Sequence, residues 1–124
     1  NAATIKPLID SNELSTIQSL KNVEANAFVM STDSYYSPWL VGYSNRKTIA
    51  PGLFDLNKWN AQTWTKFWNS NSTEAINMLK DYEDEKPLYI FVGKKRQQSL
   101  DKFNNDCFEH IINQNNTNVY KLKC

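Results

Sequence analysis

Three short apolar runs, Ala27 to Met30, Leu88 to Val92 and Val119 to Leu122, most constrain what this chain can fold into. Each is bounded by polar or turn-forming residues, and the segments between them carry helical spacing, so the pattern reads as strands alternating with helices. Such alternation predicts a mainly parallel sheet covered by helices, because a parallel crossover needs a connection long enough to hold a helix. The expected architecture is an α/β three-layer sandwich with a small, mainly parallel sheet of about four strands. The three apolar runs are expected as adjacent parallel strands.

The helical segments are legible from spacing and caps. Ser11 to Lys21 carries Leu14, Ile17 and Leu20 on one face. Tyr36 to Tyr43 reads as a short helix or an aromatic loop, with Pro38 suited to a first turn. Lys47 to Ala50 reads as a brief strand closed by Pro51-Gly52. In Trp59 to Trp68, Trp64 and Trp68 stand four apart with Phe67 adjacent, covering one helix face. Asn71-Ser72-Thr73-Glu74 offers N-cap residues for a helix running to about Asp84. Leu100 to Ile112 reads as a further helix, with Leu100, Phe103, Cys107 and Ile111 on one face and His110 near its end.

With 124 residues, the chain is long enough for one domain with its own hydrophobic core. A net charge of +1 excludes a globally basic surface of the kind that attracts nucleic acid. The cluster Lys94-Lys95-Arg96 reads as a short solvated loop after a strand or an anion contact, and the acidic run Asp81, Glu83, Asp84, Glu85 as a solvated helix end or a cation contact. No apolar run reaches the roughly 18 residues of a membrane span. Asn1-Ala2 reads as a tag remnant, and the chain as one domain of a larger protein.

The chemistry-bearing residues are sparse. One histidine and two separated cysteines do not supply a usual zinc ligand set, and three glycines leave no phosphate loop or dinucleotide fingerprint. No metal and no cofactor are expected. Gly42-Tyr43-Ser44-Asn45-Arg46 begins like a nucleophile turn, but Arg46 replaces its second glycine. Asn71-Ser72-Thr73 and Asn115-Asn116-Thr117 match the N-glycosylation pattern, which an asparagine-rich chain also produces by chance. Cys107 and Cys124 have two readings: a disulfide fitting an oxidising compartment, or a buried thiol and an incidental one.

The candidate binding edge lies within FVMSTDSYYSPWLVGYSNRKTIAPG, Phe28 to Gly52, because ligands of open α/β sheets bind beyond the carboxyl ends of the strands. Asp33 suits either a helix cap or a sugar hydroxyl. Tyr35, Tyr36, Trp39 and Tyr43 suit either stacking on a sugar or packing in the core or against another domain. With Ser44 and Arg46, whose planar guanidinium suits a carboxylate, phosphate or hydroxyl, they are expected to form one partly exposed patch at that edge.

That segment, together with KWNAQTWTKFW, LYIFVG and NVYKLK, resembles the soluble C-terminal domain of prokaryotic multi-spanning membrane glycosyltransferases of the protein-mannosyltransferase and oligosaccharyltransferase-like kind, over about Ser11 to Lys123. The resemblance implies a non-catalytic domain on the outer face of the cytoplasmic membrane, with catalysis in the membrane-embedded part of the parent. Its implied partners are the rest of that protein and a glycan or acceptor protein, with Tyr43, Ser44 and Arg46 at the turn beside the second strand. Two other functions fit the residues: a free-standing secreted module binding carbohydrate or protein, and a small hydrolase using Ser44 or Asp33.

Overall fold

The computed structural model describes residues 9–53, 55–95 and 99–124. Asn1-Ala2 and Arg96 of the basic cluster lie outside them. Among the described residues, four α-helices, α1 (Ser11–Ser19), α2 (Ser37–Tyr43), α3 (Ala61–Trp68) and α4 (Ser72–Leu79), pack with five strands. The strands are β1 (Phe28–Ser31), β2 (Lys47–Ile49), β3 (Leu88–Val92), β4 (Phe108–Gln114) and β5 (Thr117–Leu122), in the spatial order β2-β1-β3-β5-β4.

The sheet is mixed rather than mainly parallel. β1 pairs in parallel with β2 and with β3, as Phe28 opposite Lys47 and Leu88. β5 instead runs antiparallel to β3, and β4 returns antiparallel to β5. The Val119 strand is therefore not parallel to the other two. The expected helix from Leu100 to Ile112 is also corrected: only Asp101–Phe103 makes a 3-10 turn, and Phe108–Gln114 is a strand carrying an exposed His110. Asn115 and Asn116 close the β4–β5 hairpin with φ of 53° and 67°, the left-handed pair that a two-residue hairpin turn requires and asparagine tolerates.

Period-two alternation divides the core into two layers. Val29, Tyr89, Phe91 and Val119 face α1 and α2, where they meet Ile17, Leu20, Tyr36 and Leu40. Met30, Ile49, Leu88, Ile90 and Tyr120 face α3 and α4, where they meet Trp64, Phe67, Ala75 and Leu79. Burying each large apolar side chain stabilises the fold by roughly 1.5–3 kcal/mol. A β-bulge between His110 and Ile112 shifts the register of β4 by one. Phe108 thereby joins the α3/α4 core and Ile112 the opposite one, although an unbroken strand would aim both the same way.

The helices begin where their side chains can cap them. Asp10 accepts from the Glu13 N–H at 2.8 Å while Glu13 accepts from the Asp10 N–H at 3.0 Å. Asn71 and Glu74 make the same reciprocal pair for α4, at 2.9 and 3.2 Å. The tryptophan-rich segment folds inward because its indole N–H groups find acceptors: Trp59 in Asp81 at 2.8 Å, Trp64 in Asn57 at 3.0 Å, Trp68 in the Thr32 carbonyl at 2.6 Å. The acidic run is consequently less solvated than its composition suggests, since Asp81 serves Trp59 and buried Glu85 pairs with Lys58 at 2.9 Å.

Candidate functional site at the carboxyl edge

The strand order creates a topological switch point. From β1 the chain crosses through α2 on one face to β2, then returns through α3 and α4 on the other face to β3. Ligands of α/β sheets bind at such a carboxyl edge, and here the loops leaving β1 and β3 meet on the α1/α2 side, where Lys95 N donates to Tyr36 Oη at 2.7 Å. The N-termini of α1, α2 and α4 all point to this edge, since each helix runs antiparallel to the parallel strands.

On the α1/α2 side the edge is tied by a buried polar network. Tyr36 Oη donates to Glu13 Oε2, which also accepts from Lys94 N at 3.1 Å, and Tyr36 Oη accepts from Lys95 N at 2.7 Å. Glu13 is only 2% exposed, and these bonds together with the Asp10 N–H replace the water it gives up. Burial, reinforced by donation to Glu13, pushes the Tyr36 phenol well above its ordinary value. Lys94 Nζ pairs with Asp10, which holds that carboxyl below its usual range. Asp33 caps the 3-10 turn Ser34–Tyr36, accepting from Tyr35 N at 2.8 Å. Tyr35 stacks on Trp39 with centroids 5.8 Å apart, and Lys95 Nζ lies 5.1 Å from the centroid of Tyr35.

The residues expected in one patch are divided by this geometry. Asp33, Tyr35 and Trp39 gather at the carboxyl edge, and Tyr36 is core beside them, 1% exposed. Tyr43, the last residue of α2, and Ser44 and Arg46, which follow it before β2, lie at the opposite, amino edge. Ser44 is fully buried, donates to the Leu40 carbonyl at 2.6 Å and accepts from Arg46 N at 3.1 Å. Arg46 reaches backbone oxygen, donating to Asn45, Lys21 and Val23 at 2.7, 2.8 and 2.7 Å. Its planar fork thus ties the turn before β2 to the approach to β1. Tyr43 is exposed, as is Val41. The patch was expected because these residues are close in sequence, but α2 carries the chain from one end of the sheet to the other between Trp39 and Tyr43.

On the α3/α4 side of the same edge lies a polar cleft of about 900 Å³, whose lining includes Trp68, Asn71, Ser72, Glu74, Asp101 and Lys102. Its floor holds an unexpected group. Lys102 is 1% exposed, with Nζ donating to the Trp68 carbonyl at 3.0 Å and the Ser99 carbonyl at 2.9 Å. The first bond satisfies the C-terminus of α3, where a cation suits the helix dipole. Burial draws the ammonium below its ordinary value, and among the described residues no carboxylate pairs with it. Lys102 was missed because Leu100–Ile112 read as a helix whose apolar face held Leu100, Phe103, Cys107 and Ile111. The usable signal was the strand end at Val92-Gly93, which marks the following loop as part of the edge.

Cys107 and Cys124 form a disulfide with Cα atoms 5.0 Å apart. The antiparallel hairpin, rather than a parallel crossover, brings them together: Phe108 pairs with Leu122, and Lys123 N donates to the Cys107 carbonyl at 2.7 Å. Among the described residues, no group of three His, Cys, Asp or Glu side chains is arranged to hold a metal ion, and no helix is long and apolar enough to cross a membrane. No protein-family model matches the chain, and neither a curated protein nor a solved structure shows detectable similarity to it.

Proposed function

We propose that this chain is a non-catalytic extracytoplasmic accessory domain of a membrane glycosyltransferase-like protein, contacting glycan or acceptor at the carboxyl edge of its sheet. The observation that carries this reading is where the resembling segments fall. Phe28 to Gly52, LYIFVG and NVYKLK contain β1, β2, β3 and most of β5, four neighbouring strands, and KWNAQTWTKFW supplies the helix that walls the cleft. The disulfide supports an oxidising compartment. The hydrolase reading loses Ser44 as a nucleophile, since its hydroxyl is sealed from solvent and engaged on both sides. A free-standing secreted module is the second reading, favoured by the same disulfide.

The test uses the reading frame that encodes the chain. The proposal expects many hydrophobic spans in the encoded protein, recovery in the membrane fraction, cleavage of this domain by protease added outside the cell, and loss of glycosyl transfer when the domain is deleted. A single cleaved signal peptide in front of the domain establishes the secreted module instead. Turnover of activated esters or glycosides by the isolated domain, abolished by Ser44→Ala or Asp33→Asn, overturns the non-catalytic reading.

A further inference from the structure

We infer that the cleft floored by Lys102 is a binding site for a neutral saccharide; the choice of saccharide rests on the function proposed above, whereas the site itself rests on geometry. Three side chains around this cleft keep hydrogen-bonding capacity that no polar group among the described residues takes up. Lys102 Nζ carries three N–H groups and gives two of them to carbonyls, leaving one donor on a side chain that is 1% exposed. Asn71 spends its Oδ1 on capping α4, and its Nδ2 is left with two donors. The exposed Asp101 carboxylate makes no hydrogen bond or ion pair among the described residues, while its backbone is fixed by Ser99 Oγ and Asn104 N at 3.2 and 3.0 Å.

The signs of these groups select the ligand. A phosphate or uronate entering beside Lys102 would meet Asp101 and Glu74 in the same lining, and a metal ion would meet the Lys102 ammonium. A sugar needs donors and acceptors side by side without net charge, which is the set Lys102, Asn71 and Asp101 supply. The cleft's volume of about 900 Å³ lies within the span of small-ligand sites. The site is also anchored: Ser72 Oγ donates to the Lys102 carbonyl at 2.8 Å, joining the start of α4 to the 3-10 turn that carries Asp101 and Lys102. Asn71 and Asp101 are thus held across the cleft by one short bridge.

The experiment is a heteronuclear NMR titration of the 124-residue chain with neutral disaccharides (mannobiose, cellobiose and N,N′-diacetylchitobiose), and separately with inorganic phosphate and glucuronate. At least one neutral disaccharide should shift the amides of Asn71, Ser72, Asp101 and Lys102 saturably at millimolar concentration. Asn71→Asp, which preserves the cap but removes the amide donors, and Asp101→Ala should each weaken that binding about tenfold, the loss of one hydrogen bond in a polar site. Both variants keep Lys102 and the backbone ties, so unchanged spectra elsewhere separate lost binding from lost folding. The inference is overturned if no neutral disaccharide shifts these amides, if only phosphate or glucuronate does, or if both variants bind as the parent does. A secreted module passes this titration and fails the membrane tests above, so the two proposals fail separately.

Discussion

A Cβ built on Gly93 would lie 2.3 Å from Cζ of Tyr36. The ring cannot retreat, because it packs edge-on against Phe91 with centroids 5.1 Å apart and its hydroxyl is held by Glu13 and Lys95 N. Glycine at the end of β3 is thus what lets the phenol reach the α1 carboxylate across the sheet edge. Gly93→Ala should cost about 3 kcal/mol, combining overpacking with loss of the network's hydrogen bonds. Tyr36→Phe, which keeps the ring but leaves Glu13 short of a donor, should cost about 1–3 kcal/mol. Urea unfolding midpoints measure both, and a Gly93→Ala variant as stable as the parent would refute the account of this edge.

Arg46 is predicted to stabilise the fold without touching ligand. Its guanidinium joins the carbonyls of Lys21, Val23 and Asn45, so Arg46→Lys should destabilise by about 1–2 kcal/mol, because a single ammonium cannot span three oxygens set for a planar fork. Saccharide shifts at Asp101 and Lys102 should be unchanged in that variant, being at the other end of the sheet.

Stability should fall at both extremes of pH for identifiable reasons. Glu24, bonded by Lys121 and Tyr89, is held down at about 2 from an ordinary 4.5. Its folded value is depressed, so its contribution is complete above pH 4.5 and is lost as pH falls towards 2. Glu24→Gln should flatten that part of the acid limb, modestly and less in high salt, because the pair is partly exposed. At the alkaline end, burial raises Tyr36, Tyr89 and Tyr120, and pushes Tyr82 up to about 12 from 10.0. Raised folded values mean stability complete below pH 10 and lost as pH climbs through them. Circular dichroism and phenolate absorbance should therefore change together above pH 10, with these four phenols ionising as the chain unfolds.

The disulfide closes the β4–β5 hairpin at its open end, across a sequence separation of 17. A loop of that size restrains the unfolded chain by about 3 kcal/mol. Cys107→Ala/Cys124→Ala should lower stability by about that amount, and added reductant should lower the parent's urea midpoint while leaving the variant's unchanged.

Local chemistry made part of this protein readable. The Asn71 cap, the apolar pentad Leu88–Val92 and the Phe28 strand followed by Asp33 are decided within a few residues of themselves, and they appear where the pattern places them. The mixed α/β outline and the parallel pairing of β1 with β3 follow from those pieces. The stretch from Leu100 to Ile112 was misread because four apolar side chains fall at helical spacing, while the forces that extend it act from β5 and from the bulge at Ile111. The Asn115-Asn116 pair was the one local sign of that hairpin. Tertiary structure alone decided the fates of the polar side chains. Arg46 spends itself on carbonyls more than twenty residues away, Ser44 is sealed under α2, and Lys102 is buried at the end of α3. Backbone propensity and binary pattern are local properties. Which oxygen satisfies a buried cation, and which cations are left with a donor to spare, depends on elements meeting that are distant in the chain.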